Sequence, residues 1–203
     1  MKPHMFALSA ALICFVPLAA KAELKDTSFR DVEGHRVQQL EIIIDAPVAK
    51  VWRAFTTDAG FESWAAAVAH VTLGNDGMIE ASYLSTSKIG DPDNIRNRIV
   101  AYVPERLLVL HNEHVPKNGP FKQDVIDKIR TIVEFQDLGD GRTRVIESGV
   151  GYGDGPDFDS MYEHFRDGNA EEFALLAKSF ASGPVNWNRT AAEADAAVRK
   201  PQN

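Results

Sequence analysis

The feature that most constrains the fold is a long segment near the C-terminus, residues 156–182, which reads PDFDSMYEHFRDGNAEEFALLAKSFAS. Pro156 fits the first turn of a helix, and Gly183 with Pro184 supplies a stop signal. The large apolar side chains of this segment recur every three or four residues, which is the spacing of one buried helical face. They are Phe158, Met161, Tyr162, Phe165, Phe173, Leu176 and Phe180. The sequence therefore predicts one long helix that covers a large apolar surface.

The surface that this helix covers is predicted to be an antiparallel sheet. A strand at residues 36–45 is followed by two short helices, PVAKVWRAFTT and AGFESWAA, and then by a run of β-rich segments. Asp140-Gly141 between two of these segments is a strong hairpin signal. The chain is therefore predicted to be an α+β domain, with a curved antiparallel sheet wrapped around the long C-terminal helix and two short helices after the first strand.

The N-terminus has the pattern of a secretory signal peptide. An apolar stretch at residues 5–20 ends in Ala20-Lys21-Ala22, which has the form of an A-x-A cleavage site. We therefore expect residues 1–22 to be removed and the protein to be secreted, with the periplasm as the expected destination. The rest of the chain is divided into a lead-in (23–35), one domain (36–187) and a C-terminal tail (188–203).

The composition limits the partners that the domain can have. Cys14 is the only cysteine and lies in the predicted signal peptide, so no disulfide and no thiol ligand is expected in the domain. The formal net charge is -7, which argues against nucleic acid and anionic membrane surfaces as main partners. The apolar N-terminal stretch is too short for a confident membrane span, so none is expected after cleavage. The oligomeric state stays open.

Four segments, taken in order and spacing, carry a resemblance to a known family. They are IIIDAPVAKVWRAFTTDAGFESW (42–64), AYVPERLLVL (101–110), VEFQDLGDGRTRV (133–145) and MYEHFRDGNAEEFALLAKSFASGPVNW (161–187). Together they resemble the SRPBCC or START-like superfamily, and most closely the branch named after the activator of the heat-shock-protein-90 ATPase. The resemblance implies the helix-grip fold, with a cavity between the sheet and the long helix. It does not imply one reaction, because the superfamily contains carriers, cyclases, co-chaperones and oxygenase domains.

The stretch His111-Asn112-Glu113-His114 ends an apolar run and raises the question of a metal or catalytic site. On a regular strand successive side chains point to opposite faces, so His111 and His114 cannot bind one ion, and no metal site is predicted. His111 and Glu113 share a face and could bind a polar group or act as an acid–base pair. The alternative is a polar strand end, and periodicity cannot decide whether this face or that of Asn112 and His114 meets the cavity.

A second set of candidates could line a cavity for an apolar ligand. Asn169 falls within the apolar stripe of the long helix, where a buried amide needs a partner. It could present its amide to a ligand, or it could bond to the sheet at a helix kink next to Gly168. Aromatic side chains commonly line ligand cavities, although they also make ordinary cores. The predicted ligand-binding residues are Trp64, Tyr83, His111, Tyr152, Phe158, Tyr162, Phe165 and Asn169.

The sequence favours a binding protein over an enzyme. Neither of the serine-containing stretches LSTSK (84–88) and IESGVG (146–151) forms a G-x-S-x-G elbow, and no metal motif is present. We expect it to bind a hydrophobic small molecule or lipid in the cavity, without a cofactor or a metal. One alternative is a cyclase or isomerase that uses His111, Glu113 and a tyrosine for proton transfer. Another is a chaperone-like module that binds proteins through an exposed apolar patch.

Overall fold

The computed structural model describes residues 23–74, 76–116 and 121–188. The predicted signal peptide and the predicted tail after residue 188 lie outside these residues. The strands are β1 (Lys25–Asp26), β2 (Phe29–Arg30), β3 (Arg36–Ile44), β4 (Val68–Thr72), β5 (Met78–Ser82), β6 (Ile95–Val103), β7 (Leu107–His114), β8 (Arg130–Asp137) and β9 (Thr143–Tyr152). The helices are α1 (Val48–Thr56), α2 (Asp58–Glu62), α3 (Gln123–Ile126) and α4 (Pro156–Ser182).

The strands form one 9-stranded sheet in the order β1-β3-β9-β8-β7-β6-β5-β4, with β2 also paired to β3. Neighbouring strands are antiparallel, as in the pairs β3–β9 and β6–β7. The register shifts between Ile99 and Ala101 of β6 and between Arg36 and Gln38 of β3, and such bulges bend a strand. The sheet is curved, and α4 is the long helix that the sequence predicts. The predicted fold class, a helix-grip α+β domain, is confirmed.

The inner face of the sheet and α4 form the main core. Alternate residues of β3, Leu40, Ile42 and Ile44, are buried, and α4 contributes Phe173 and Leu176. This alternation follows from the two-residue period of a strand. Burying a side chain of this size stabilises the fold by roughly 1.5–3 kcal/mol.

The helix α1 packs aromatic rings into the main core. Trp52 and Phe55 lie edge-on to Phe135 of β8, with centroid distances of 5.2 Å and 5.1 Å. Trp64, which follows α2, donates its indole N–H to the carbonyl of Ala54 at 2.9 Å. Such edge-to-face pairs each add about 0.5–1.5 kcal/mol beyond the area that they bury.

The start of α4 is fixed to the sheet by Arg36. Its guanidinium donates to Asp159 Oδ1 at 2.7 Å and to the carbonyl of Gly153 at 2.6 Å. The helix begins at Pro156, and Gly155 before it has a φ of 104°, a value that favours glycine. The start of α4 is therefore held against β3. Within the described ranges, no helix is both long enough and apolar enough to cross a membrane.

Candidate functional site

A cavity with a volume of about 180 Å³ lies between α4 and the inner face of the sheet. Its apolar wall is made by side chains from α1, α2, the segment after α2 and the central strands. Ile126, Ile129 and, from α4, Phe165 also belong to this wall, whose other members are Phe55, Phe61, Trp64, Ile95, Leu110 and Val133. Its polar side chains come from the same strands, from α4 and from the loop after β5. They are Gln38, Tyr83, Asn97, Asn112, Thr131, Glu147, Tyr152, Asn169 and Glu172.

The strand register explains why so many polar groups face inward. Asn97 of β6 lies opposite Asn112 of β7, and both side chains line the cavity. Farther along the sheet, Thr131 of β8 lies opposite Gly149 of β9, and Gly149 lies opposite Gln38 of β3. The pleat directs these positions to one face. A band of amide and hydroxyl groups therefore crosses the sheet beneath the middle of α4.

Two carboxyl groups from different elements face the cavity. Glu147 lies on β9 and Glu172 on α4. Burial raises the pKa of Glu147 to about 8, and the charge of Glu172 adds to this rise. Burial also raises the pKa of Glu172, although a hydrogen bond from Tyr83 opposes the rise. A carboxyl group that titrates near neutral pH can exchange a proton with a bound molecule.

Tyr83 connects the mouth of the cavity to α4. Its hydroxyl donates a hydrogen bond of 2.5 Å to Glu172 Oε1, while the residue as a whole is 54% exposed. Burial of the hydroxyl end and the charge of Glu172 raise the pKa of Tyr83. Tyr83 therefore stays a hydrogen-bond donor across the physiological pH range.

Asn169 has a partner in the sheet. Its amide nitrogen donates to Gln38 Oε1 at 3.3 Å, and Gln38 in turn donates to the backbone carbonyl of Tyr162 at 2.9 Å. Gln38 is almost fully buried, and these bonds satisfy its amide group, which would destabilise the fold if it were buried without partners. Asn169 thus lines the cavity and also bonds to the sheet, while α4 continues without interruption through Gly168.

Asn112 differs from Asn169 because its oxygen has no partner. Asn112 Oδ1 is buried and accepts no hydrogen bond within the described part of the chain. Leaving a buried acceptor unpaired costs about 1–3 kcal/mol. Such groups are commonly explained by a bound molecule or water. Asn112 is therefore a polar contact point that a ligand could use.

The structure places His111 and Glu113 away from this cavity. Leu110 and Asn112 of β7 line it, so the alternation of the strand puts the odd-numbered residues on the outer face. Glu113 is paired there with Arg98 of β6, and His111 Nε2 lies 3.8 Å from Asp127 Oδ1. His114 Nε2 lies 2.7 Å from the carbonyl of Pro92. Neither the acid–base role of His111 and Glu113 nor the ligand contact of His111 is supported by this placement.

Five of the predicted ligand-binding residues meet at the cavity, and these are Trp64, Tyr83, Tyr152, Phe165 and Asn169. Phe158 and Tyr162 are not part of the lining and pack instead in a second cluster with Val125, Ile129 and Met161. Arg36 lies 5.3 Å from the ring centroid of Tyr162, and Gly153 leaves room for the ring of Phe158. The middle of the apolar stripe of α4 therefore lines the cavity, whereas its first turns pack in the second cluster.

Glu147 and Glu172 were not among the predicted site residues, although the helical spacing of the sequence could have indicated Glu172. Phe165, Asn169, Glu172 and Leu176 follow one another at intervals of four, three and four residues. This spacing places Glu172 on the same helical face as the apolar residues. Glu147 carried no such signal, because both faces of its strand contain apolar residues.

The fold has counterparts among known proteins. The family model described as Activator of Hsp90 ATPase homolog 1-like protein matches residues 45–181. The fold resembles Aha1 from Colwellia psychrerythraea, solved as a dimer, with a TM-score of 0.55 and 16% identity over 72% of this chain and 97% of that chain. It also resembles CalU16 from Micromonospora echinospora, with a TM-score of 0.54 and 17% identity over 88% of this chain and 98% of that one. No curated protein matches the sequence.

Proposed function

Because the chain belongs to the family of Activator of Hsp90 ATPase homolog 1-like proteins, a branch of the SRPBCC superfamily, we propose that it binds a small, largely apolar molecule between the sheet and α4. The observation that carries the proposal is the cavity itself. Aromatic and aliphatic side chains make its wall, and a few amide, hydroxyl and carboxyl groups converge on it. Ligand sites commonly combine an apolar wall with a small number of orienting polar groups.

The size of the cavity narrows the class of ligand. Its volume of about 180 Å³ is below the range of roughly 300–1,000 Å³ that is common for drug-sized ligands. A compact molecule of one or two rings therefore suits the cavity better than a complete lipid. The polar groups across the sheet also favour a ligand with at least one hydrogen-bonding group.

Two matched variants on β7 test whether binding occurs in the cavity. Leu110 lines it, whereas Val109 lies on the other face of the same strand. We expect naphthylmethanol or a similar aromatic alcohol to bind the wild type, as measured by calorimetry. Leu110→Trp should weaken this binding by at least about tenfold, since the added ring fills the cavity, and Val109→Trp should leave it unchanged. Equal binding by both variants, or no binding of any small aromatic compound to the wild type, would contradict the proposal.

We also propose that the protein acts after export, in the periplasm or outside the cell. The support is the apolar N-terminal stretch that ends in Ala20-Lys21-Ala22. Mass spectrometry of the protein from its source cells should find Glu23 as the first residue, in the periplasmic or secreted fraction. A chain that begins at Met1 and stays in the cytosol would contradict this part of the proposal.

A second candidate function is proton-transfer catalysis of the cyclase or isomerase type, now with Glu147 in place of His111. The observation that favours it is the raised pKa of Glu147, about 8, beside a cavity that could hold a substrate. The test is exchange of the α-protons of β-tetralone in deuterated water, followed by NMR. Wild-type protein should speed the exchange and Glu147→Gln should not, whereas equal rates would remove this candidate.

A further inference from the structure

The cavity contains acidic groups without basic ones. Glu147 and Glu172 line it, and none of the described residues that line it is Lys, Arg or His. Arg36 of β3, which holds the start of α4, is already bonded to Asp159 and to the carbonyl of Gly153. Any negative charge in the cavity therefore lacks a protein counter-ion among the described lining residues.

The hydrogen-bonding state of the two carboxyl groups differs. Tyr83 donates to Glu172 Oε1, and a donated bond favours the charged form of a carboxyl group. Glu147 is half-buried at the cavity, and its carboxyl group has no hydrogen-bond partner within the described part of the chain. A carboxyl group that faces a cavity without a partner carries a desolvation cost in its charged form.

A second unpaired acceptor faces the same cavity. Asn112 Oδ1 is buried without a partner, and Asn112 is separated from Glu147 by strand β8. The unsatisfied groups of the cavity are thus acceptors at two separate positions. An occupant that satisfies them must donate hydrogen bonds, and a positive charge at the Glu147 end would also neutralise the carboxyl pair.

We infer that the ligand carries a primary or secondary ammonium group, which the carboxyl groups of Glu147 and Glu172 bind while the aromatic wall covers the apolar remainder. This inference rests on the proposed function and names its ligand class. A charge-assisted bond between an ammonium group and a carboxylate is about twice as strong as a neutral one. The rings of Phe55, Phe61 and Trp64, which line the same cavity, provide the apolar contact surface.

A metal ion fits the same residues less well. Within the described ranges, no three His, Cys, Asp or Glu side chains come together as metal ligands. Ca²⁺ prefers six to eight oxygen ligands, and Mg²⁺ prefers near-octahedral coordination. Of the polar side chains around the carboxyl pair, Tyr83 is already bonded to Glu172, and Asn169 is already bonded to Gln38. An ammonium group, which needs about three acceptors, is the better match.

The test compares two probes of nearly the same shape, naphthylmethylamine and naphthylmethanol. Their binding to the protein that begins at Glu23 is measured by calorimetry at about pH 8. We expect the wild type to bind the amine at least about tenfold more tightly than the alcohol. Glu147→Gln and Glu172→Gln should each reduce this preference to about threefold or less, with little change for the alcohol. Glu134→Gln, on the outer face of β8, is the matched control and should keep the preference.

The outcomes separate the inference from the proposed function. If both probes bind equally and Leu110→Trp blocks them, the proposed function holds and the ammonium inference is wrong. If folded wild-type protein binds neither probe, both the proposed function and the ammonium inference are wrong. Binding of Ca²⁺ that Glu147→Gln abolishes, without any preference for the amine, would also overturn the inference. The comparison on wild-type protein decides the matter even if a glutamine variant fails to fold.

Discussion

The Tyr83 hydroxyl donates a hydrogen bond of 2.5 Å to Glu172 Oε1, and this bond joins the loop after β5 to α4 at the cavity. Two opposing effects meet at Glu172. Burial raises the pKa of its carboxyl group, and the bond from Tyr83 lowers it, with burial the larger effect. The tyrosine therefore controls both how α4 is held at the mouth and how much negative charge the cavity contains.

Removing this hydroxyl should change the charge of the cavity more than the stability of the protein. In Tyr83→Phe the pKa of Glu172 should rise further, because the bond that lowers it is lost. The free energy of unfolding should fall by about 1 kcal/mol. Carbon NMR titration of the Glu172 carboxyl group measures the first effect, and urea denaturation measures the second.

Tyr102→Phe is the matched control for this substitution. Tyr102 lies 6.4 Å from Trp52, centroid to centroid, and has no hydrogen bond through its hydroxyl within the described part of the chain. The Tyr102→Phe substitution should leave the titration of Glu172 unchanged. A Glu172 pKa that stays the same or falls in Tyr83→Phe would show that the bond does not govern this carboxyl group.

Glu147 should make the protein less stable as the pH rises. Its pKa is about 8 in the folded state, against an ordinary value of 4.5. Between these two values the folded state keeps a proton that the unfolded state has released, so the free energy of unfolding falls as the pH increases through this range. The titratable groups that bear on Glu147 are Glu172 from α4 and the neutral hydroxyls of Tyr83 and Tyr152.

Glu147→Gln removes this proton linkage while it keeps the shape of the side chain. At about pH 9 the variant should be more stable than the wild type by about 1–3 kcal/mol, and at about pH 5 the difference should nearly vanish. Urea denaturation at the two pH values measures the change. A Glu147→Gln variant whose difference from the wild type is the same at both pH values would contradict the assigned role of burial.

Two asparagines of the sheet region should respond in opposite ways to the same substitution. Asn112 has a buried oxygen without a partner, so Asn112→Leu should raise the free energy of unfolding by about 1 kcal/mol. Asn94 donates to Glu80 Oε1 at 2.7 Å and to the carbonyl of Lys88 at 2.8 Å. Asn94→Leu should therefore lower it by about 2–3 kcal/mol. Thermal and urea denaturation of both variants checks this, and a loss in Asn112→Leu as large as that in Asn94→Leu would show that Asn112 is paired.

The sequence is most informative where local signals decide the structure. Helix α4 begins at Pro156 and ends before Gly183, as the turn and stop signals predict. The hairpin at Asp140-Gly141 likewise connects β8 to β9. The short strands β1 and β2 and the helix α3 were not predicted, because two to four residues are too few for a period to be visible. Their positions depend on pairing with β3 and on packing near α4.

The candidate site depends on long-range pairing that no local pattern contains. Leu107 to Leu110 is apolar on both faces, so alternation alone could not place Asn112 or His111. The register does so, because Leu110 lies opposite Thr131 and Leu108 lies opposite Val133, and these face α4. The aromatic residues at the cavity were predictable as a class. The carboxyl pair was not, since it forms only when β9 and α4 are brought together.

The outer face of β7 provides the last prediction, because it holds the histidine that the sequence first suggested as functional. His111 has 21% of its side chain exposed and lies on the opposite side of the sheet from Asn112. His111→Gln and Glu113→Gln should therefore change the affinity for naphthylmethanol by no more than about twofold. Trp64→Leu, which removes a ring from the cavity wall, should weaken it by about tenfold or more. Calorimetry on the three variants measures both effects, and a loss in His111→Gln comparable with that in Trp64→Leu would show that the binding site lies on the outer face.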